Sequence, residues 1–274
     1  MKGTIIKSLS GKYNVFSEEK TIECTPKGLF RYEKIIPRVG DTVEVEDNTI
    51  TKVYKRHNSL LRPNVANVDK IILLTSIVEP DLNLNLLDRM ISQAEYNDIA
   101  IVLVFSKCDL APDKYSDIIS YYKNLGYPTY LTPKDYDLLA KEIEGCVCVL
   151  SGQSGVGKST LINYYTGLNI KTDSISYALG RGKHTTRHVE LLRTNGGWIA
   201  DTPGFGIMEL DMSEMSLSQT FREFFATKCK YKGCLHEKEP KCNVKEKVAT
   251  GEFMKSRYNN YLLFLAEIRK NKKY

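Results

Sequence analysis

Nine consecutive residues, Gly152, Gln153, Ser154, Gly155, Val156, Gly157, Lys158, Ser159 and Thr160, have the types and spacing to hold a triphosphate. They match G-x-x-x-x-G-K-[ST]. The glycines let backbone N–H groups turn inward around phosphate oxygens, and the N-terminus of a following helix adds its partial positive charge. Lys158 is placed to reach the β- and γ-phosphates, and the Ser159 hydroxyl to ligate Mg²⁺. The bland alternative is a glycine-rich turn with no ligand. It lacks the context seen here, an apolar run over residues 146–150 before the loop and helical spacing over 158–165 after it.

Further residues complete that chemistry. Asp201-Thr202-Pro203-Gly204 follows the apolar run 198–200. A carboxylate at a strand end can hold Mg²⁺ through its water shell, and the Gly204 N–H can approach a γ-phosphate. Between the two motifs lies a polar stretch, 170–187, containing Gly182-Lys183-His184-Thr185-Thr186. A Thr hydroxyl in such a loop fits a segment ordered by Mg²⁺ and γ-phosphate, with Thr185 or Thr186 as the ligand. Ser106-Lys107-Cys108-Asp109 ends another apolar run. A carboxylate there accepts two hydrogen bonds, from guanine N1 and N2. Adenine offers no such pair, so Asp109 selects GTP over ATP, while the Lys107 stem lies along the base plane. Taken alone, these four residues would be a surface turn.

A second chemistry sits near the C-terminal end. Cys229-x4-Cys234-x-His236-x5-Cys242 offers three thiolates and one imidazole. That set suits tetrahedral Zn²⁺ with no open position, hence a structural role. In a straight strand Cys234 and His236 would not converge with the rest, so a turn at Gly233 and a tight loop are required. The alternative, unliganded buried cysteines, finds no apolar surroundings in this Lys-rich stretch. The remaining cysteines, Cys24, Cys108, Cys146 and Cys148, are expected to pack as small apolar groups. Seven cysteines, an odd number, argue against a disulfide framework.

The elements that must position these residues fall into three patterns. Residues 1–63 read as five short strands (3–9, 13–16, 21–24, 42–45 and 50–54) separated by turn signals, which suggests a small antiparallel barrel. From about residue 64 the pattern becomes buried strands (70–77, 99–105, 128–131, 146–150) alternating with helices (84–96, 115–125, 136–143, 158–165). That alternation implies a doubly wound α/β layer. Residues 188–193 and 198–201 around Asn195-Gly196-Gly197 read as a hairpin. Beyond about 212 the chain is helical and basic, with helices expected over 217–225 and 255–270. The domain boundaries expected are 1–63, 64–218 and 219–274.

Net charge is +6, distributed as +4 over 1–63, −6 over 64–218 and +8 over 219–274. Basic flanks around an acidic centre suit a polyanion such as nucleic acid, or are simply solvated lysines. A hydrophobic content of 42% allows ordinary cores. No apolar run approaches the roughly 20 residues that span a bilayer. The first residues carry no signal-like apolar stretch, so a cytoplasmic, membrane-free monomer is the expectation.

The order of the motifs is unusual. The base motif (106–109) precedes the phosphate loop (152–160), and the switch-like segments follow. One sheet accommodates this order if the chain is circularly permuted. In that order, in the Gly-Lys-His-Thr-Thr segment and in the Cys/His cluster, the chain resembles the RsgA (YjeQ/YloQ) family of circularly permuted GTPases. The resemblance spans the whole chain. It implies an N-terminal OB-fold that binds RNA, a permuted GTPase domain and a C-terminal zinc-binding helical domain. It further implies GTP hydrolysis to GDP and phosphate, stimulated by the small ribosomal subunit and its rRNA during late subunit assembly, and it points to the same four zinc ligands. Ser106 departs from the common N-K-x-D form, which puts part of the base contact in question. Phe205 stands where a Ras-type enzyme has its water-orienting Gln. By analogy with the family motif His184 is the candidate for that role, against the alternative that it packs or faces solvent. Two other functions compete, a small-molecule kinase using ATP and an RNA-binding module with GTP as a structural ligand.

Overall fold

A computed structural model of the chain describes residues 1–60, 64–168, 189–194, 196–201 and 210–271. Its strands are β1 (Lys2–Leu9), β2 (Lys12–Ser17), β3 (Lys20–Pro26), β4 (Thr42–Glu46), β5 (Thr49–Val53), β6 (Ser59–Leu60), β7 (Val65–Ala66), β8 (Lys70–Ser76), β9 (Ala100–Ser106), β10 (Thr129–Leu131), β11 (Val147–Ser151), β12 (Leu191–Arg193) and β13 (Trp198–Asp201). Its helices are α1 (Leu29–Tyr32), α2 (Leu84–Tyr96), α3 (Ser116–Asn124), α4 (Tyr136–Ile143), α5 (Lys158–Thr166), α6 (Glu214–Gln219), α7 (Arg222–Phe225), α8 (Asn243–Ala249) and α9 (Lys255–Asn271). The chain forms two compact units, Met1–Lys70 with Asp137–Pro203 and Ile71–Tyr136 with Gly204–Tyr274.

In the first unit β1-β2-β3-β5-β4 close into a barrel. Alternation sets its inside. Ile5, Tyr13, Val15, Val43, Val45 and Ile50 are buried, and their neighbours along each strand face outward. Three hairpin turns have positive φ at both central residues, Ser10-Gly11, Glu18-Glu19 and Asp47-Asn48, as the twist of paired strands demands. The Glu18-Glu19 turn carries no sequence signal. After β5, β6 and β7 make a short antiparallel pair that the sequence did not announce. Gly40 adopts φ +87°, and a Cβ there would lie 2.0 Å from the Ala66 carbonyl oxygen, so only glycine lets β7 approach the barrel this closely. The same unit holds α4, α5 and the strands β11, β13 and β12 in that order. The β12–β13 pair is antiparallel, as the hairpin signal predicts, and β11 runs parallel to β13.

In the second unit β10, β9 and β8 lie in that order, with β10 parallel to β9. β8 and β9 are buried almost throughout, because a parallel strand is covered on both faces. α2 starts at Asn83, whose side chain accepts the Leu86 N–H at 3.0 Å, and buries Leu87, Met90, Ile91 and Ala94. The C-terminal helices pack around Phe221, Phe224, Tyr261, Phe264 and Leu265. The single helix expected over 217–225 is two. Thr220 caps α6, and Phe221 is extended (φ −98°, ψ 100°) before α7 begins. The break turns the fully buried Phe221 ring into the core, stacked on Phe224 at 5.0 Å and 11°. α8, also unannounced, starts directly from Cys242.

One polar cluster joins α2 to these C-terminal helices. Arg257, 1% exposed, donates from Nε to Glu223 Oε1 at 2.6 Å and from Nη1 to Asp88. Asp88 also accepts from Tyr122 Oη at 2.7 Å and from Asn260 Nδ2 at 2.7 Å. A guanidinium between two buried carboxylates is stable only because nearly every lone pair is used.

Candidate nucleotide and metal sites

The phosphate loop leaves β11 at Ser151 and enters α5 at Lys158. Gly155 (φ +81°) and Gly157 (φ +97°) hold left-handed backbone, which bends the loop round on itself. A Cβ at Gly157 would meet nothing within 4 Å, so conformation rather than space demands glycine there. Gly157 lacks a side chain to cap α5, which leaves the N–H groups of its first turn facing outward from the helix start. Lys158 Nζ donates to the carbonyl oxygens of Gly152 at 2.8 Å and Gln153 at 2.6 Å, lying across the loop it must serve. Val156 is buried and anchors the loop, Ser159 is half-buried, and Ser154, Gly155 and Thr160 are exposed. Asp201 ends β13 in register with Leu150 of β11, so the backbone of this acidic residue reaches the same sheet edge from which the loop departs. Ligands collect at such carboxyl ends of parallel strands. His184, Thr185, Thr186 and Gly204 lie outside the described residues.

The base motif is built in the second unit. β9 ends at Ser106, and Lys107 has φ +59°. The Lys107 ammonium donates to the Glu79 carbonyl. Asp109 is exposed, as a carboxylate must be to meet a ligand. Ser106 is buried and its hydroxyl donates to the Thr75 carbonyl at 3.3 Å, tying the motif to β8. Sequence reasoning missed one contributor, Thr132. It is buried, its N–H donates to Phe105 at 2.9 Å, and its carbonyl accepts the Cys108 N–H at 3.2 Å. The available signal was a Thr-Pro pair directly after the strand expected over 128–131, which the structure pairs with β9. Cys108 is half-buried rather than core. Its thiol donates to the Phe105 carbonyl at 3.2 Å, and burial, then Asp109 and Asp135, push it up to about 11. Cys24 and Cys148 are buried as expected, whereas Cys146 is only half-buried.

The four cluster residues converge. The ligand atoms of Cys229, Cys234, His236 and Cys242 all lie within 4.8 Å of one another. Cys242 Sγ is 3.8 Å from Cys229 Sγ and 3.7 Å from Cys234 Sγ. His236 Nδ1 is 3.5 Å from Cys229 Sγ and 3.4 Å from Cys242 Sγ. Zinc bonds of ordinary length at tetrahedral angles require about 3.8 Å between sulfurs and about 3.6 Å between sulfur and nitrogen. These four separations fit a Zn²⁺ ion on that measure.

Backbone conformation makes the convergence, through Gly233 at φ +74° and His236 at φ +58°. Glu239 braces the loop by accepting from the N–H groups of Leu235 at 2.7 Å and Glu237 at 3.0 Å, one on each side of the histidine. Tyr258 Oη donates to the His236 carbonyl at 2.7 Å and Tyr261 Oη to the Leu235 carbonyl at 2.6 Å. Burial lowers His236 below the usual imidazole range, favouring the neutral ring that binds metal. Burial also pushes the Cys234 thiol up to about 12, so a metal must displace its proton.

Known proteins resemble the chain along nearly its whole length. The family model described as RsgA GTPase matches residues 53–211, and that of the RsgA N-terminal domain matches residues 2–54. The small ribosomal subunit biogenesis GTPase RsgA of Geobacillus sp. (strain WCH70) is 44% identical over 288 residues, covering 99% of this chain and 98% of that protein. The protein of the same name from Bacillus subtilis (strain 168) is 44% identical over 293 residues, again covering 99% and 98%. Among solved structures, that of YloQ, a circularly permuted GTPase, has a TM-score of 0.79 at 40% identity and covers 98% of this chain and 95% of its own. YjeQ from Thermotoga maritima has a TM-score of 0.79 at 31% identity, covering 97% of both chains.

Proposed function

The chain belongs to the RsgA family of circularly permuted GTPases, and on that premise we propose that it hydrolyses GTP to GDP and phosphate in the late assembly of the small ribosomal subunit. The subunit and its rRNA would be both partner and stimulator. The carrying observation is near-complete coverage by relatives named for small-subunit biogenesis, together with the bent glycine loop that opens α5.

Each candidate residue takes a role in this reading. Backbone amides of 152–160 hold the phosphates, and Lys158 moves from the loop carbonyls to the β- and γ-oxygens. Asp109, with Lys107, selects guanine, while Ser106 and Cys108 fix the turn that presents it. Ser159 and Asp201, with Thr185 or Thr186, would hold Mg²⁺, which neutralises charge on the phosphate oxygens. Gly204 senses the γ-phosphate. His184 orients the attacking water, since Phe205 has no group to do so. Cys229, Cys234, His236 and Cys242 hold one structural Zn²⁺. Domains at 1–63 (RNA-binding barrel), 64–218 (GTPase) and 219–274 (zinc-binding) divide this labour in a cytoplasmic monomer. Among the described residues no helix is long and apolar enough to cross a membrane.

The test is GTP turnover with and without purified small ribosomal subunits. Stimulation by the subunit is expected. Turnover that the subunit leaves unchanged sinks the reading, and no turnover at all favours GTP as a structural ligand. For His184, the expected outcome of His184→Ala is lost stimulation at intact nucleotide affinity. Full stimulation would remove it from the mechanism.

A further inference from the structure

Between β3 and β4 the barrel carries a segment whose composition serves neither its core nor the nucleotide. Phe30, 5% exposed, is buried beneath α1 and anchors it. Around that anchor apolar side chains face outward, Leu29 at 48%, Ile36 at 65% and Tyr32 at 86% exposed. Lys27, Arg31 and Lys34 are exposed on the same stretch, against one acid, Glu33, and none of the three cations has an ion-pair partner among the described residues.

This segment is held in place at both ends. The Lys27 N–H donates to the Ile50 carbonyl at 3.0 Å, and the Ile35 N–H to the Phe30 carbonyl at 2.9 Å. Arg56 donates from Nη2 to the Ile36 carbonyl at 2.7 Å and from Nε to Asp41 at 2.6 Å. The Arg38 N–H donates to the other Asp41 oxygen at 2.7 Å, and Asp41 is fully buried. An exposed aromatic on a braced loop is a surface built to meet something. Cations without partners beside an aromatic face match the two parts of a single-stranded nucleotide, a base to stack and phosphates to neutralise. A protein partner would bury the apolar groups equally well but would leave three cations to desolvate.

We propose that residues 27–36 are an RNA contact in which Tyr32 stacks on an unpaired base and Arg31 and Lys34 meet the flanking phosphates. This deepens, and rests on, the reading that the chain binds the small ribosomal subunit.

The experiment measures affinity of the full chain, loaded with a non-hydrolysable GTP analogue, for purified small subunits. Tyr32→Ala weakens binding about tenfold or more, and Tyr32→Phe keeps it within about twofold. Arg31→Ala with Lys34→Ala lowers the slope of log affinity against log salt by roughly one to two. Because Tyr32 is exposed, the Tyr32→Ala unfolding temperature stays that of the wild type, which separates lost contact from misfolding. A photoreactive benzophenone amino acid replacing Tyr32 crosslinks to rRNA. Crosslinking to a ribosomal protein instead, or undiminished binding by Tyr32→Ala, overturns this inference alone. Failure of the wild-type chain to bind subunits overturns the functional reading and the inference with it.

Discussion

Lys158 rests on two carbonyl oxygens of its own loop, which on the proposed reading stores the ammonium where phosphate oxygens would arrive. Charge-assisted bonds of this kind contribute about 1.5–3 kcal/mol each. Lys158→Ala is therefore expected to weaken GTP affinity by roughly tenfold or more, read by titration with a fluorescent guanine nucleotide. Unaltered affinity would remove Lys158 from the site. At the Cys/His cluster the sequence names the candidate ligands, but the brace between them is a product of folding. Glu239 uses both carboxylate oxygens to hold the backbone on either side of His236. Glu239→Gln replaces one acceptor with a donor facing an N–H. Zinc affinity should fall about 10–100-fold, the usual effect of losing a group that orients a ligand. Competition against a chromophoric chelator measures it. Glu239 was illegible beforehand because a glutamate in a Lys-rich loop has no periodic or spacing signature.

Among the elements, α2 and α9 are tied by charge as much as by packing. Removing Arg257 leaves Asp88 and Glu223 buried without their cation. Arg257→Ala should destabilise the fold by about 3–5 kcal/mol, visible in thermal unfolding. A change of under about 1 kcal/mol would mean the triad is solvated. Near the surface of the same joint, Arg89 donates from Nη1 to Glu267 Oε1 at 2.8 Å. That hydrogen bond, opposed by partial burial, holds the Glu267 carboxyl below its ordinary value. A lowered carboxyl stabilises the fold above its unfolded value of about 4.3, and the contribution is lost as pH falls from there through the folded value. Glu267→Gln should flatten that part of the acid-side stability curve and leave the slope near neutrality unchanged. Helix periodicity located α2, α4 and α9 to within a residue or so. It could not see the break at Phe221, because a ring turned into the core overrides local helical preference.

At the scale of the molecule, the Cys/His cluster that could hold zinc belongs to a core. Cys234 and Cys242 are counted among the buried residues that surround Phe221, Phe224 and Tyr261. Metal removal should therefore loosen the C-terminal helices, lowering the unfolding temperature, with one zinc per chain restoring it. Elemental analysis and calorimetry test both parts. The basic ends, +4 over 1–63 and +8 over 219–274, lead to a further expectation. Subunit binding should fall steeply with added salt, while GTP affinity changes far less.

By itself the sequence determined what depends on neighbours along the chain. The phosphate-loop motif, the candidate base carboxylate, the four Cys and His residues of the cluster, the alternation of barrel strands and the permuted motif order are all local spacings, and spacing survives without coordinates. Tertiary structure alone decided which distant groups meet. Thr132 beside the base motif, Arg257 between Asp88 and Glu223, and Arg56 under the turn that carries Tyr32 join residues from 15 to 169 positions apart. Such pairings arise when packing brings elements together and buried charge must find a partner, a requirement that no short window of residues encodes.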